Sequence, residues 1–292
     1  MIQSKNNYNP YKLLKHLKNL EAFEKGEDFA PIEVNINVSN QCNNQCPLCT
    51  TKNKDGLLIP TKRIKEVIDE LGEMGVQSSG YGGGGEPTCH PDFEEILRFS
   101  NKNKIEFSVY TNGLTITPGT MDAIVDFGTF IRISLDADAP EIYKKTHGME
   151  AEEFNSVIQN IIKLVELKKN KKSSIVIGIN YLLGPHTIKG IYNAAKLARE
   201  IGVDDIRFRP FFDFGKSIIK EEDASSITRE LMRSKELETP NFTVSYSENR
   251  CESMSDKKPR KYLKCYINNF VPIITPDLKV YPCCFLVDNE EY

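Results

Sequence analysis

Histidine is scarce, four residues in a chain of 292, so general acid–base chemistry at neutral pH is thinly supplied. Long apolar runs are missing: nothing approaches the roughly 20 consecutive apolar residues of a membrane span. The N-terminal MIQSKNNYNPYKLLKHLKNL also lacks the apolar core of a signal peptide, and it reads as a small amphipathic helix on a cytoplasmic protein. There is no excess of one charge sign either. A formal net charge of -3 gives no broad electrostatic case for nucleic acid or an anionic membrane as partner. The lysine runs at 168–172 and 257–261 are short and lie among polar residues, as on a solvated surface.

Cysteine, by contrast, is well represented, with eight residues. Three fall within VSNQCNNQCPLCTTKN (38–53) and two are adjacent, Cys283 and Cys284. Such clustering in a long chain of reducing-compartment character points to metal rather than to disulfides.

Strand-like and helix-like segments alternate along most of the chain. IEVNINV (32–38) has the period-2 pattern of a strand, and the cysteine loop follows it. TKRIKEVIDELGEMG (61–75) places Ile64, Val67, Ile68 and Leu71 at helical spacing, with Thr61 as the expected N-cap. Further strands are expected over 76–81, 104–113, 130–137, 174–183 and 203–212, with helices between them. The order predicts an α/β fold, a partial (βα)6 barrel of parallel strands with helical crossovers. In such a barrel the functional loops lie at the C-terminal ends of the strands. The cysteine loop, GGGGEP (82–87), TNG (111–113) and SLDAD (134–138) all fall there. Three segments are expected: a helical extension over 1–31, the barrel over 32–215, and a small cysteine-bearing module over 216–292.

Thiolates are soft ligands that suit iron–sulfur clusters or zinc. Three cysteines on a four-iron cubane leave one iron without a protein ligand, as an open position on catalytic zinc admits substrate. Asn43, Asn44 and Gln45 are placed to donate hydrogen bonds to cluster sulfurs. The alternative is a three-cysteine zinc site completed by a distant residue such as His90. Cys89 reads as a packed thiol.

CNNQCPLC after a first strand, GGGGEP after a second, TNG after a third and SLDA after a fourth together resemble the radical S-adenosylmethionine (radical SAM) superfamily, over residues 32 to about 212. The resemblance implies a 4Fe–4S cluster on Cys42, Cys46 and Cys49, with the fourth iron chelated by the methionine moiety of SAM. It implies reductive cleavage of SAM to a 5′-deoxyadenosyl radical, which takes a hydrogen atom from the substrate and needs no general acid or base. Residue by residue, Gly84, Gly85 and Glu86 match the motif that receives the methionine ammonium. Ser134 and Asp136 match strand-four positions near the carboxylate and ribose, with Asn112 a further candidate. Asn180 matches the fifth-strand position that reaches the ribose, and Arg207 or Phe208 is placed to cover adenine. Leu48 stands where the family often has an aromatic, so an apolar contact is kept and stacking is not. An electron donor such as flavodoxin or ferredoxin is implied as partner.

CYINNFVPIITPDLKVYPCC (265–284) resembles the opening of a SPASM or Twitch module. The resemblance implies an auxiliary 4Fe–4S cluster on Cys265 and Cys283 with Cys251 or Cys284. Leu278 stands where the family has glycine, so the turn must avoid a left-handed conformation or accept strain. The further cysteines of a full SPASM set are absent, so the module reads as truncated or as short and Twitch-like. Radical epimerases with a similar layout use a cysteine to return a hydrogen atom, a role open to Cys251. With about thirty residues before the first strand, a separate peptide-recognition domain is not expected there. A small polar metabolite (a sugar, aminocyclitol or nucleotide-sugar) is the favoured substrate, leading to epimerisation, dehydrogenation or elimination. Epimerisation or cross-linking of a ribosomal peptide is the second reading, and a zinc- or cluster-stabilised binding module is the non-enzyme alternative.

Overall fold

Apolar residues at helical spacing in one segment and at every second position in the next fold as alternating helices and strands. The computed structural model describes residues 14–51, 55–213, 216–217, 219, 223–246, 264–284 and 286–287. Helix α1 (Leu17–Lys25) precedes β1 (Glu33–Ile36), α2 (Thr61–Met74), β2 (Ser78–Tyr81), α3 (Phe93–Lys102), β3 (Glu106–Thr111), α4 (Pro118–Phe127) and β4 (Gly128–Ser134). Then come α5 (Pro140–His147), α6 (Glu153–Lys171), β5 (Val176–Leu183), α7 (Ile191–Ile201) and β6 (Asp205–Pro210). A short hairpin, β7 (Phe212–Asp213) with β8 (Lys216–Ser217), leads to α8 (Ala224–Lys235), β9 (Thr243–Tyr246), β10 (Ile273–Ile274) and β11 (Val280–Tyr281).

Strands β1 to β6 lie side by side in chain order and all run parallel, as the βα alternation requires. The architecture is the expected α/β partial barrel. Among the described residues, no helix is long and apolar enough to cross a membrane. The core lies between the sheet and its helices: Val34, Ile36 and Val38 from β1 and its end meet Ile64 and Ile68 of α2 and their counterparts around the sheet. Fully burying each such side chain contributes about 1.5–3 kcal/mol.

Three features differ from the sequence reading. Helix α5 follows SLDAD directly, in a stretch for which the sequence pattern predicts no separate helix. The N-cap of α2 is Pro60 rather than Thr61, whose hydroxyl instead donates to the Asp92 carboxylate. And residues from beyond 216 join the barrel sheet at both edges, β9 parallel to β6 and β10 parallel to β1 with β11 antiparallel outside it. Edge strands with unpaired backbone are thereby covered: Asn35 and Asn37 donate their N–H groups to the Pro272 and Ile274 carbonyls at 2.9 and 2.8 Å. An aromatic cluster of Phe23, Phe29, Tyr266 and Phe270 binds α1 to the same tail segment.

The TPDLK turn between β10 and β11 accepts strain, since Leu278 has φ +63°. A left-handed leucine costs about 1–2 kcal/mol. Its neighbours hold it there: Leu278 N–H donates to the Thr275 carbonyl at 2.8 Å, Thr275 N–H to the Lys279 carbonyl at 3.0 Å, and the Thr275 hydroxyl to Asp277 at 2.6 Å.

Candidate active site

Side chains alternate across a strand, so every strand whose odd positions face the helices presents its even positions to the opposite side. That opposite face is polar. In β1 and just past it this face carries Glu33, Asn35 and Asn37, and Gly80 of β2 leaves room for the first two: a Cβ there would lie 2.3 Å from Asn35 Oδ1 and 3.2 Å from Glu33 Oε1. Across β4, β5, β6 and β9, Ser134, Asn180, Arg207 and Ser245 stand in one register row. The row beneath is Arg132, Gly178 and Asp205. Arg132 makes a two-pronged ion pair with Asp205, Nη2 to Oδ2 being 2.9 Å, and both side chains are buried. Gly178 between them is required by space, since a Cβ would lie 1.8 Å from Arg132 Nη1. Three of the expected contact residues, Ser134, Asn180 and Arg207, are thus brought together on one row.

At the end of β1 the chain leaves as the cysteine loop, pinned at its base by an antiparallel bridge between Ser39 and Leu58. Ile59 N–H donates to the Val38 carbonyl and Asn40 N–H to that of Leu57. The glycine run lies flat against this base: Gly85 N–H donates to the Ser39 carbonyl at 2.6 Å and Glu86 N–H to that of Gln41 at 2.8 Å. A Cβ on Gly85 would meet Gln41 O at 2.1 Å, so only glycine permits the approach. Thr51, at the loop's far end, donates to the Gly83 carbonyl at 3.0 Å. The loop also rests on the end of α5, with Gln45 N–H donating to the His147 carbonyl at 3.0 Å. Cys42 and Cys46 are half-buried and Cys49 is exposed, as is Leu48. Asn44 N–H donates to Cys42 Sγ at 3.5 Å.

Glu86 is the hub that joins three of the motifs. It is buried, and its Oε1 accepts from Thr111 Oγ1 (2.6 Å), Thr88 Oγ1 (2.8 Å) and Thr88 N–H (3.1 Å), while Oε2 accepts from Asn112 N–H (2.7 Å). Burial pushes its carboxyl above the usual range and these donors pull it back. The carboxylate expected at the ligand's ammonium therefore ties the GGGGEP loop to TNG, leaving the backbone of Gly84 and Gly85 nearer the loop base. Asn112 extends the chain of contacts: its Nδ2 donates to Asn43 Oδ1 at 2.6 Å, and Asn43 Nδ2 donates to Thr115 Oγ1 at 3.0 Å. Asn43 is thus committed to TNG and its flank rather than turned on the cysteine sulfurs. Asp136, just past β4, adopts φ +43° and accepts from Leu182 N–H at 2.6 Å, while burial pushes its carboxyl up to about 7. Thr88, Thr111, α5 and the Arg132–Asp205 pair were not singled out from sequence; the period-2 polar residues of β1 were the one available signal.

The zinc alternative loses its fourth ligand here. His90 is buried with both ring nitrogens engaged, Nδ1 accepting from Asp92 N–H at 3.2 Å and Nε2 donating to the Ile59 carbonyl at 2.9 Å. Of the tail cysteines, Cys283 and Cys284 lie close enough for their thiols to bear on one another. Cys265 borders an apolar groove of about 380 Å³ with Leu20, Phe23 and Phe270, whereas Cys284 lies near enough to Arg209 of β6 for the charge to bear on its thiol. Cys251 lies outside the described residues. Among the described residues, no three histidine, cysteine, aspartate or glutamate side chains converge on a common metal position, the cysteine loop included.

The sequence profile described as the Radical SAM superfamily matches residues 36–198, more than half of the chain. The chain belongs to the radical SAM superfamily. Among curated relatives, the mycofactocin maturase MftC of Mycobacterium tuberculosis is 35% identical over 133 residues, covering 44% of this chain and 33% of its own. The PqqA peptide cyclase of Ruegeria pomeroyi is 23% identical over 177 residues, 59% of this chain and 45% of its own. A probable GTP 3′,8-cyclase of Methanococcus aeolicus is 31% identical over 183 residues, 58% and 56% of the two chains. The match thus spans a third to about half of these relatives. The crystal structure of Streptococcus suis SuiB bound to S-adenosylmethionine shares the fold at TM-score 0.73 and 17% identity, over 98% of this chain and 68% of that one.

Radical SAM membership implies a 4Fe–4S cluster and SAM, and it stands with the reading of the chain as an enzyme. The residues present fit those groups. The loop offers three soft thiols and no hard ligand, and a backbone donor already on the Cys42 sulfur. Beside it the buried side chains of Asn44 and Tyr143 hold polar atoms with no well-formed hydrogen bond, a donor supply that cluster sulfurs would use.

Proposed function

We propose that this chain is the barrel of a radical SAM enzyme that modifies a peptide. The observation that carries the reading is the similarity, over the barrel, to MftC and to a PqqA peptide cyclase. The sequence alone favoured a small polar metabolite, from the thirty-odd residues before β1; the relatives weigh more, because their similarity lies in the part of the chain that does the chemistry. SuiB, whose structure has also been solved with its precursor peptide SuiA, adds a fold of the same outline.

With cluster and SAM bound, the chemistry supplied is reductive cleavage of SAM and removal of a substrate hydrogen atom. The remaining tasks fall to this chain. Cys42, Cys46 and Cys49 would hold the cluster, and the backbone of Gly84 and Gly85, packed on the loop base, would receive the methionine ammonium of SAM. Ser134, Asp136 and Asn180 would line its carboxylate and ribose side, with Asn112 a further candidate, while Arg207 and Leu48 would lie against adenine. The polar face of the sheet holds the substrate, and the covering helices keep its other side dry. A flavodoxin- or ferredoxin-type donor supplies the electron. An auxiliary cluster on Cys265 and Cys283 with Cys251 or Cys284, and a hydrogen-donor role for Cys251, remain proposals of the same reading.

The test is anaerobic. Reconstituted protein given dithionite and SAM should form 5′-deoxyadenosine, and a colourless protein that forms none removes the enzyme reading. Deuterated peptides encoded beside this gene should pass deuterium into 5′-deoxyadenosine. The similarity to a probable GTP 3′,8-cyclase favours a second reading, a small polar metabolite. Label transfer from GTP or a nucleotide-sugar, and none from any peptide, would make that one correct.

A further inference from the structure

Where the cysteine loop packs on α5, a polar side chain from each is buried. Tyr143, in the middle of α5, is fully buried, and its ring stacks on His147 at 4.1 Å between centroids. Asn44, between Cys42 and Cys46 in the chain, is 2% exposed. The Tyr143 hydroxyl and both ends of the Asn44 amide lack a well-formed hydrogen bond. Both lie buried where the loop packs on α5; burial pushes the Tyr143 phenol up to about 12, and Asn44 and Cys46 are both near enough to bear on it. The contact between loop and helix is tight, for Gln45 N–H donates to the His147 carbonyl at 3.0 Å and a Cβ on Gly148 would lie 2.3 Å from Gln45 O. Asn44 N–H, meanwhile, already points at Cys42 Sγ.

Buried polar groups are rarely left unpaired, and those that are ask for a partner. A hydroxyl and a carboxamide this near have a natural order. The phenol O–H donates to the amide oxygen, which leaves the amide N–H2 as a donor turned toward the loop sulfurs. We propose that Tyr143 and Asn44 form a donor relay that sets the reduction potential of the cluster held by Cys42, Cys46 and Cys49. With the cluster in place, Tyr143 Oη–H would turn to Asn44 Oδ1, and Asn44 Nδ2–H would turn to sulfur at Cys46. Hydrogen bonds to cluster sulfur offset negative charge, favour the reduced state and raise the potential. Tyr143 is held rigid for this by the stack on His147, whose Nε2–H donates to the Ser134 carbonyl at 3.1 Å. Both are positioning residues, and the proposal rests on the loop holding a cluster.

The experiment is a redox titration, followed by electron paramagnetic resonance, of reconstituted wild type, Tyr143→Phe, Asn44→Leu and the double variant. Iron content and SAM-dependent spectral change in the wild type test the cluster separately. If the wild type loads no iron, the family assignment of the loop fails, and the relay fails with it. Given a loaded wild type, Tyr143→Phe keeps the ring stack and should lower the reduced-to-oxidised ratio at fixed potential about three- to tenfold, tenfold being 59 mV for one electron. The double variant should be no worse than Asn44→Leu, because the donors act in series. A merely structural role predicts the reverse pattern: removing an unsatisfied buried hydroxyl leaves the melting temperature equal or higher and the potential unchanged. An unchanged potential in a fully loaded Tyr143→Phe overturns the proposal, whether or not Asn44→Leu retains iron.

Discussion

Asp205→Asn removes one charge from a pair that the sheet has taken out of water. Arg132 and Asp205 each keep only 4% of their side-chain surface exposed, and the two-pronged contact satisfies both. Leaving a buried guanidinium without its carboxylate costs about 3–5 kcal/mol. That is a large part of the roughly 5–15 kcal/mol that holds a domain together. The assay is urea unfolding at pH 7, with the midpoint falling and the slope kept. Replacing both residues by apolar ones, Arg132→Met with Asp205→Leu, should recover most of the loss, since an apolar substitute for a buried pair is often neutral. Gly178→Ala should damage the same pair by driving a methyl into the guanidinium, so it and Asp205→Asn should not add. The pH arm has a definite sign. Burial pushes the Asp205 carboxyl up while Arg132 pulls it back. In Arg132→Met alone the folded carboxyl lies well above its unfolded value near 3.9, so folding takes up a proton and stability should rise as pH falls from 7 towards 4. A loss below about 1 kcal/mol in Asp205→Asn, or flat pH dependence in Arg132→Met, refutes the reasoning.

Burial holds the His147 imidazole down to about 4, against about 6.5 when unfolded. The unfolded chain therefore binds the proton first, and stability should fall as pH drops from about 6.5 to 4, by at most about 3 kcal/mol. Melting curves of wild type and His147→Gln across that range should converge; parallel curves would show no such contribution. Gly85→Ala forces the glycine run off the loop base, where Gln41 O stands 2.1 Å from the new methyl. Iron loading and SAM binding, read by absorbance and calorimetry, should drop at least about tenfold, equal to 1.4 kcal/mol, while the fold survives by circular dichroism; unaltered loading would contradict the packing argument. Leu278→Gly relieves a left-handed leucine at the expense of a freer unfolded chain, and should raise stability by up to about 1 kcal/mol in urea unfolding. A lower midpoint would mean the leucine side chain packs for more than its strain.

What was legible in the sequence follows from how local each signal is. Helix and strand periodicities are local, so the six parallel strands and their order came through, and with them the loops at the strand ends. The missed features are those in which residues far apart in the chain define one another. Arg132 and Asp205 are separated by 73 positions, and nothing in FIRISLDA or VDDIRFRPFF says that the arginine of one answers the aspartate of the other. Glu86 looked like a ligand group because it follows four glycines. Only the fold shows Thr111 and Asn112 closing on it from the next strand. Leu278 posed a choice between two local conformations, which only the pairing of β10 with β11 could decide.

The period-2 pattern of β1 carried more than a strand assignment. In IEVNINV the apolar half, Val34, Ile36 and Val38, specifies the face that meets the helices. The other half, Glu33, Asn35 and Asn37, would be an error on a sheet with both faces in an apolar core. In a parallel sheet wrapped by helices on one side only, polar alternate residues mean that the second face borders a space that accepts polar groups. Ser134, Asn180, Arg207 and Ser245 repeat that message across four further strands. Following the polar phase as well as the apolar one locates the polar face of this barrel, where strand-end motifs alone locate only its rim.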